Sequence, residues 1–429
     1  MNQDYHLIVV GTDISGLVTA YLCAKNGLKV LILDKGELAG TVSNCGTYVI
    51  SKKILQKIDK QILNELHHDH ILNTKMLISA GVADNVELRR THNFDEADEN
   101  VLYIFDKAKL IENLIQLAEK AGAEIQSNVL VKKTLVKDDA IKGVEIHTGF
   151  KYTALLTMMN DAQQLNFLRE LNIENELDVR KNVIFASESL KITKDQIKET
   201  FGLGDTDRAA ITVVGASEMR GLFTIFTQDN HLQLNILIIP FEGDEQISEI
   251  DAMQALNDLK NQDRFVSILK SSEISDRSIA ILQIADDFSS QNLFGDGYLV
   301  AGMPGKLFTI MNMENANPQI YAGLAAYETV HACNENDRAD KKFSGLYYNR
   351  LKEYEVFKAI QHSNKMFKYL QNNPQFLGEY PKAIAKYSRE LFSDCEDSDE
   401  NASAFENLTN AAGGFFNLLK DFFGFRRKL

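Results

Sequence analysis

The chain has 429 residues, 45% of them apolar, and a formal net charge of −14 from 46 basic and 60 acidic side chains. That length holds two or three domains or one large composite, with apolar residues enough for a substantial core. The acidic balance argues against a general nucleic-acid binder, because meeting phosphates takes a basic surface. Cys23, Cys45, Cys333 and Cys395 form no CxxC pair, so neither a zinc ribbon nor a four-cysteine iron–sulfur site is expected, and no metal site is assigned. The opening MNQDYHLIVV shows no basic stretch and no cleavage site, so it is not read as a secretory signal. No apolar run approaches the roughly 18 residues of a membrane span. The expected location is cytoplasmic and reducing.

Residues 5–34 read YHLIVVGTDISGLVTAYLCAKNGLKVLILD. An apolar run from Leu7 to Val10 leads into Gly11, a helical stretch follows from about Ser15, and a second apolar run, Val30 to Leu33, ends at Asp34. Strand, tight turn, helix, strand and acidic residue are the layout of a dinucleotide-binding βαβ unit. The fingerprint for that turn is Gly-x-Gly-x-x-Gly, and this chain has Gly11, Asp13 and Gly16. Gly11 and Gly16 serve the turn and the helix–strand packing. The middle glycine lets the backbone approach a pyrophosphate, and Asp13 puts a Cβ and a carboxyl there instead.

Residues 36–50 are a loop rich in Gly, Ser and Thr, with Gly40 and Gly46 read as loop glycines. His67, His68 and His70 are read as a solvated cluster, since no second ligand set accompanies them. Residues 106–121 carry Leu110, Leu114, Ile115, Leu117 and Ala118 at helical spacing, and Gly122 ends that helix. The strand-like segments EIQSNVLVKKTLV, AIKGVEIHT and YTALLTMM then return the chain to the first sheet. From about 180 to 290, short alternating strands separated by turn signals predict an inserted antiparallel sheet, with FVSILKSS and SIAILQIAD as extensions of it. GDGYLVAGMPGK is a strand running into a second glycine turn, and a helical region follows from about Pro318 to Phe392. An acidic run, Asp394 to Glu400, reads as a solvated linker. In the closing GGFFNLLKDFFGFRRKL, Phe415, Phe416, Leu418, Leu419, Phe422 and Phe423 share one helical face, followed by Arg426, Arg427 and Lys428.

These segments in this order resemble the FAD-dependent oxidoreductases of the electron-transfer-flavoprotein:quinone oxidoreductase family, in particular its FixC branch, with the geranylgeranyl reductases sharing the fold. The resemblance spans most of residues 4–392 and is carried by the βαβ unit, LFGDGYLVAG, LYYNRLKEYEVFKAIQ and YLQNNPQFLGEYPKAIAKYSRELF. It implies an α/β fold: a Rossmann-like FAD-binding domain of the glutathione-reductase and p-hydroxybenzoate-hydroxylase type, an inserted antiparallel β-sheet domain and a helical C-terminal region. The expected boundaries are 1–175 and 291–335 for the FAD-binding fold, 176–290 for the insert, 336–392 for the helical region, 393–412 for the acidic linker and 413–429 for the amphipathic tail.

The resemblance also implies an FAD site, and this sequence departs from it at several positions. Gly11 and Gly16 remain, with Asp13 between them. Asp34 fits the acidic residue that holds the adenosine ribose. Lys107 stands where the family has Arg; it is either a phosphate contact or a surface residue opening a helix, and lysine lacks arginine's planar fork. The family's Gly-Asp turn reads Gly302-Met303, with an apolar residue in place of the aspartate that serves the ribityl–phosphate chain. Asn317 is positioned to cap the next helix, with Pro318 as its first residue. The family's Ala-Asp-Gly appears as Met159-Asn160-Asp161. At an effective dielectric near 20, a like charge about 4 Å from a phosphate costs on the order of 4 kcal/mol.

Two functions from different classes follow. One is an electron-transfer flavoprotein with weakened FAD binding, passing electrons from a soluble donor to quinone or a ferredoxin-like or electron-transfer-flavoprotein partner. The other is a cofactor-free FixC-like protein that binds or scaffolds, at a membrane surface. A third reading, an isoprenoid-chain reductase, has no distinct motif behind it. No acid, base or nucleophile is assigned, because the family's electron transfer needs none. The Phe/Leu face of 413–429 has three readings: docked on its own protein, bound to a partner, or lying on the inner membrane as a peripheral anchor.

Overall fold

A computed structural model of the chain describes residues 3–36, 46–66, 69–71, 73–79, 85–91, 98–160, 182–205, 207–215, 221–240, 249–269, 272–285, 288, 293–311, 316–391 and 409–410. Gly40, Cys45, His67, His68, Asp161, the acidic run and the tail 413–429 lie outside the described residues.

The chain opens with β1 (Tyr5–Val10), α1 (Ile14–Lys25), β2 (Val30–Leu33), β3 (Thr47–Ser51), α2 (Lys52–Ile58), β4 (Asp69–His70), β5 (Asn73–Ser79), β6 (Asn85–Thr91) and β7 (Leu102–Asp106). It continues through α3 (Lys107–Lys120), β8 (Glu124–Gln126), β9 (Val131–Lys137), β10 (Ala140–Ile146), β11 (Lys151–Met159), β12 (Asn182–Lys191), α4 (Lys194–Phe201), β13 (Ala209–Val214), β14 (Gly221–Thr227) and β15 (His231–Ile238). It ends with α5 (Glu249–Lys260), α6 (Asp263–Leu269), β16 (Glu273–Gln283), β17 (Phe294–Gly295), β18 (Tyr298–Val300), α7 (Asn317–Glu335), α8 (Lys341–Ser344), α9 (Leu346–Glu353), α10 (Val356–Asn372) and α11 (Glu379–Leu391).

The first sheet runs β17-β18-β11-β1-β2-β8, parallel except at β17, with β10 and β9 continuing antiparallel from β11. Leu7 to Val10 are all at most 1% exposed, which explains why β1 reads as an unbroken apolar run: both faces of a parallel strand are covered. Helices α1 and α7 pack side by side on this sheet. A Cβ on Gly16 would stand 2.4 Å from Asn160 Nδ2 and 2.7 Å from Val9 Cγ1, so Gly16 lets α1 lie close on β1 and the end of β11. A Cβ on Gly323 would stand 2.8 Å from the Ser15 carbonyl, so Gly323 lets α7 lie close on α1. Gly11 takes φ +104 to turn from β1 into α1, a backbone that other residues rarely adopt. Cys23 is fully buried in the α1 packing, and burial pushes its thiol pKa far upward, as befits a small core residue.

The second sheet runs β16-β12-β15-β14-β13-β5-β6. It is antiparallel except where β5 joins β13 in parallel. It draws more widely on the chain than residues 176–290, since β5 and β6 come from 73–91. Those strands carry Lys75, Glu87, Arg89 and Arg90, and this polarity hides their pairing from a hydrophobic-pattern reading. FVSILKSS does not extend the sheet; its first part is α6, whose Phe265, Ile268 and Leu269 pack with α5 under the sheet. SIAILQIAD does extend it, as β16. One sheet face covers α5, and within that core Glu188 is fully buried, held by Lys260 Nζ at 2.8 Å and Arg277 Nε at 2.9 Å. The other face meets α10 through Phe367 and Leu370 and meets the small β3-β7-β4 sheet through Ala210 and Phe226. The β1–α1 turn, the end of β11 and the turn after β18 therefore lie at one edge of the first sheet, where its parallel strands finish.

Candidate functional site

Parallel β1, β11 and β18 are in register, with Val10 beside Met159 and Met159 beside Val300. Their C-terminal ends deliver three turns to one crevice, which is where open α/β sheets bind ligands. Asp13 is the N-cap of α1: its backbone is extended (φ −77, ψ 162) and its Oδ1 accepts from the Ile14 N–H at 2.9 Å. A bound diphosphate would call on these same helix-end donors. From the second turn comes Asn160, 1% exposed; its Nδ2 donates to the Asp13 carbonyl at 3.2 Å and its Oδ1 accepts from Ser15 Oγ at 2.6 Å. The third turn supplies Gly302, at φ +59. A Cβ there would stand 2.7 Å from Asp13 Oδ2, 2.8 Å from Asn160 Oδ1 and 3.2 Å from Ser15 Oγ.

Around this cluster stand the other residues that the sequence pointed to. Asp34, closing β2, accepts from Thr12 Oγ1 at 3.1 Å, so the acidic residue is tied to the glycine turn. Lys107 is the first residue of α3; its N–H donates to the Gly46 carbonyl at 3.0 Å, and Asp106 caps the helix by accepting from Lys109 N–H. Met303 follows Gly302, half-buried, and its carbonyl accepts from the Lys306 N–H at 3.0 Å. Asn317 needs a correction: helix α7 begins at Asn317 itself, and Ala316 occupies the cap position in a helical conformation. Ala316 has no side-chain acceptor to offer, and the helix starts one residue earlier than an Asn cap would place it.

Sequence reasoning missed three residues. Ser15 lies inside the fingerprint but at an unspecified position. Tyr48 on β3 and Gln319 on α7 have no motif to mark them. Tyr48 is buried, and its pKa is raised well above the ordinary phenol value, first by burial and then by the Asp13 charge, against a hydrogen bond from Gln319 that lowers it. No group of three metal-ligating side chains occurs among the described residues.

These sheets and helices define a Rossmann-like fold of the FAD-binding type, with a helical C-terminal region. Residues 9–61 match the family model of the NAD(P)-binding Rossmann-like domain. A geranylgeranyl bacteriochlorophyll reductase-like protein from Thermoplasma acidophilum superimposes with a TM-score of 0.67 over 98% of this chain and 99% of its own, at 15% identity. A halogenase PltM variant in complex with FAD gives 0.67 over 95% and 85%, at 11% identity. These likenesses establish the fold. Among curated sequences the chain is similar to Protein FixC from Salmonella typhi, 24% identical over 98% of both chains. It is 23% identical, again over 98% of both, to the probable electron transfer flavoprotein-quinone oxidoreductase YdiS from Escherichia coli strain K12. The chain is thus FixC-like along nearly its whole length.

FAD is the cofactor that this fold implies, and the β1–α1 turn is where its diphosphate would be expected. There the α1 N-terminus carries the Asp13 carboxylate, whose Oδ2 faces Gly302.

Proposed function

We propose that this chain is a FixC-like protein of the electron-transfer oxidoreductase type whose FAD binding is weakened. The relatives named for electron transfer to quinone support the general role, and Asp13 on the α1 N-terminus, against Gly302, is the observation that carries the weakening. When bound, a flavin would supply the redox chemistry. The chain's own contribution would be Asp34 for the adenosine ribose and Lys107 as a cation near the phosphates. The partners in this reading are a soluble donor and, receiving its electrons, quinone or a ferredoxin-like or electron-transfer-flavoprotein partner, with residues 413–429 resting on the inner membrane from its cytoplasmic side.

The second reading, a cofactor-free binding or scaffold protein, is favoured by the buried Ser15–Asn160–Asp13 cluster, which joins the β1–α1 and β11 turns directly. The absorbance of the purified protein separates the two. A change in the flavin's absorbance or fluorescence on adding FAD, with the flavin lost on gel filtration, supports weakened binding. A flavin signal that the protein leaves unchanged supports the second reading, and a flavin that survives purification at full occupancy rejects both.

A further inference from the structure

We infer that Asp13 and Asn160 are a coupled pair that together stands in for the dinucleotide's diphosphate, closing the crevice from within; this rests on the reading of an altered FAD site. The sequence departs from the family's glycine turn at Asp13 and from its Ala-Asp-Gly at Asn160, 147 residues apart in the chain. The fold brings the two departures together. One Cβ position, on Gly302, lies within 2.8 Å of both Asp13 Oδ2 and Asn160 Oδ1. Asn160 uses its amide nitrogen on the Asp13 carbonyl and its oxygen on Ser15 Oγ.

Asn160 spends its donor on the Asp13 backbone carbonyl and its acceptor on Ser15, so it gives the Asp13 carboxylate a neutral neighbour in place of a second charge. An aspartate at 160, as in the family, would lose the donor to the Asp13 carbonyl and add a second negative charge beside the first in a buried place. Two carboxylates so placed resist ionising together. The carboxylate at 13 takes the Ile14 N–H, one of the helix-end donors that a phosphate would engage. The two positions are therefore interdependent: each family residue suits an open nucleotide site, and each present residue suits a closed one.

The test is a double-mutant cycle on the full chain, read by urea midpoint and by melting temperature with and without ADP as a probe carrying the diphosphate. Asn160→Asp alone should lower the midpoint, and Asp13→Asn added to it, which exchanges the two side chains and leaves one carboxylate, should restore the part of the loss that the second charge causes. Asp13→Gly/Asn160→Asp should gain a melting-temperature rise with ADP that the native protein lacks. Should Asn160→Asp fail to fold, folding of the exchanged variant is the restoration. Additive effects around the cycle, no recovery in the exchanged variant, or an equal ADP response in the native protein would overturn the pairing. If the native protein binds FAD weakly and the cycle is additive, only this inference falls. If the native protein retains FAD tightly, the altered-site reading falls with it.

Discussion

Ser15 and Asn160, 145 residues apart, meet through a 2.6 Å hydrogen bond in which the serine hydroxyl donates to the amide oxygen, with both side chains at most 1% exposed. This contact ties the start of α1 to the end of β11. Removing the hydroxyl leaves a buried amide oxygen without it. Ser15→Ala should lower unfolding free energy by about 1–3 kcal/mol, read from urea denaturation, with unchanged far-UV circular dichroism. A loss near zero would mean that this hydrogen bond adds nothing to stability.

Reversing the lesion should recover ligand binding. Asp13→Gly removes the charge and the Cβ at the phosphate approach, and Met303→Asp returns the carboxylate that the FixC-type turn carries. The double variant is expected to bind FAD at least about tenfold more tightly than the native chain, a gain of about 1.4 kcal/mol, measured by flavin fluorescence quenching. A well-folded double variant with unchanged affinity would show that the crevice is lost for another reason.

Acid stability has a defined contributor at the α1–α2 contact. Asp59 accepts from the Gln61 N–H at 3.0 Å, pairs with Lys25 and accepts from Tyr21 Oη at 2.7 Å. These contacts, the Gln61 bond first, lower its pKa from 3.8 to about 2. The folded pKa lies below the unfolded one, so the stabilisation is fully present above about pH 4 and is lost as pH falls through 2. Asp59→Asn should therefore cost on the order of 2 kcal/mol at pH 7 and progressively less below pH 4. A native–variant gap in urea midpoint that stays constant from pH 7 to pH 2.5 would contradict the assignment.

The tail makes a separate, physical prediction. Aromatic and aliphatic residues on one helical face, ending in Arg426, Arg427 and Lys428, suit the headgroup region of an anionic bilayer. Deleting 413–429 should release the protein from anionic liposomes in a flotation assay and leave its melting temperature unchanged. Undiminished flotation of the truncated protein would remove the anchor.

Local pattern made the first sheet legible. The apolar runs at Leu7–Val10 and Val30–Leu33, with Gly11 between, specify strand, turn and strand without reference to distant residues. It did not reveal β5 and β6, whose Lys75, Arg89 and Arg90 break the alternation, because their place is set by pairing with β13 far along the chain. FVSILKSS failed for the complementary reason: a short apolar run fits helix or strand equally, and packing under the sheet chose helix. At the site, Asp13 stood out because a rigid spacing rule exists for that turn. Tyr48, Gln319 and the Ser15–Asn160 bond had no such rule, since only tertiary packing brings them together. Asn317 was misplaced by one residue because the cap preference is a local tendency and Ala316 continues the helical backbone.

Isothermal titration of FAD into the native protein decides whether Asp13 weakens the cofactor site, as proposed. The expected dissociation constant is roughly 10 μM or weaker. A stoichiometric, nanomolar complex would overturn the proposal.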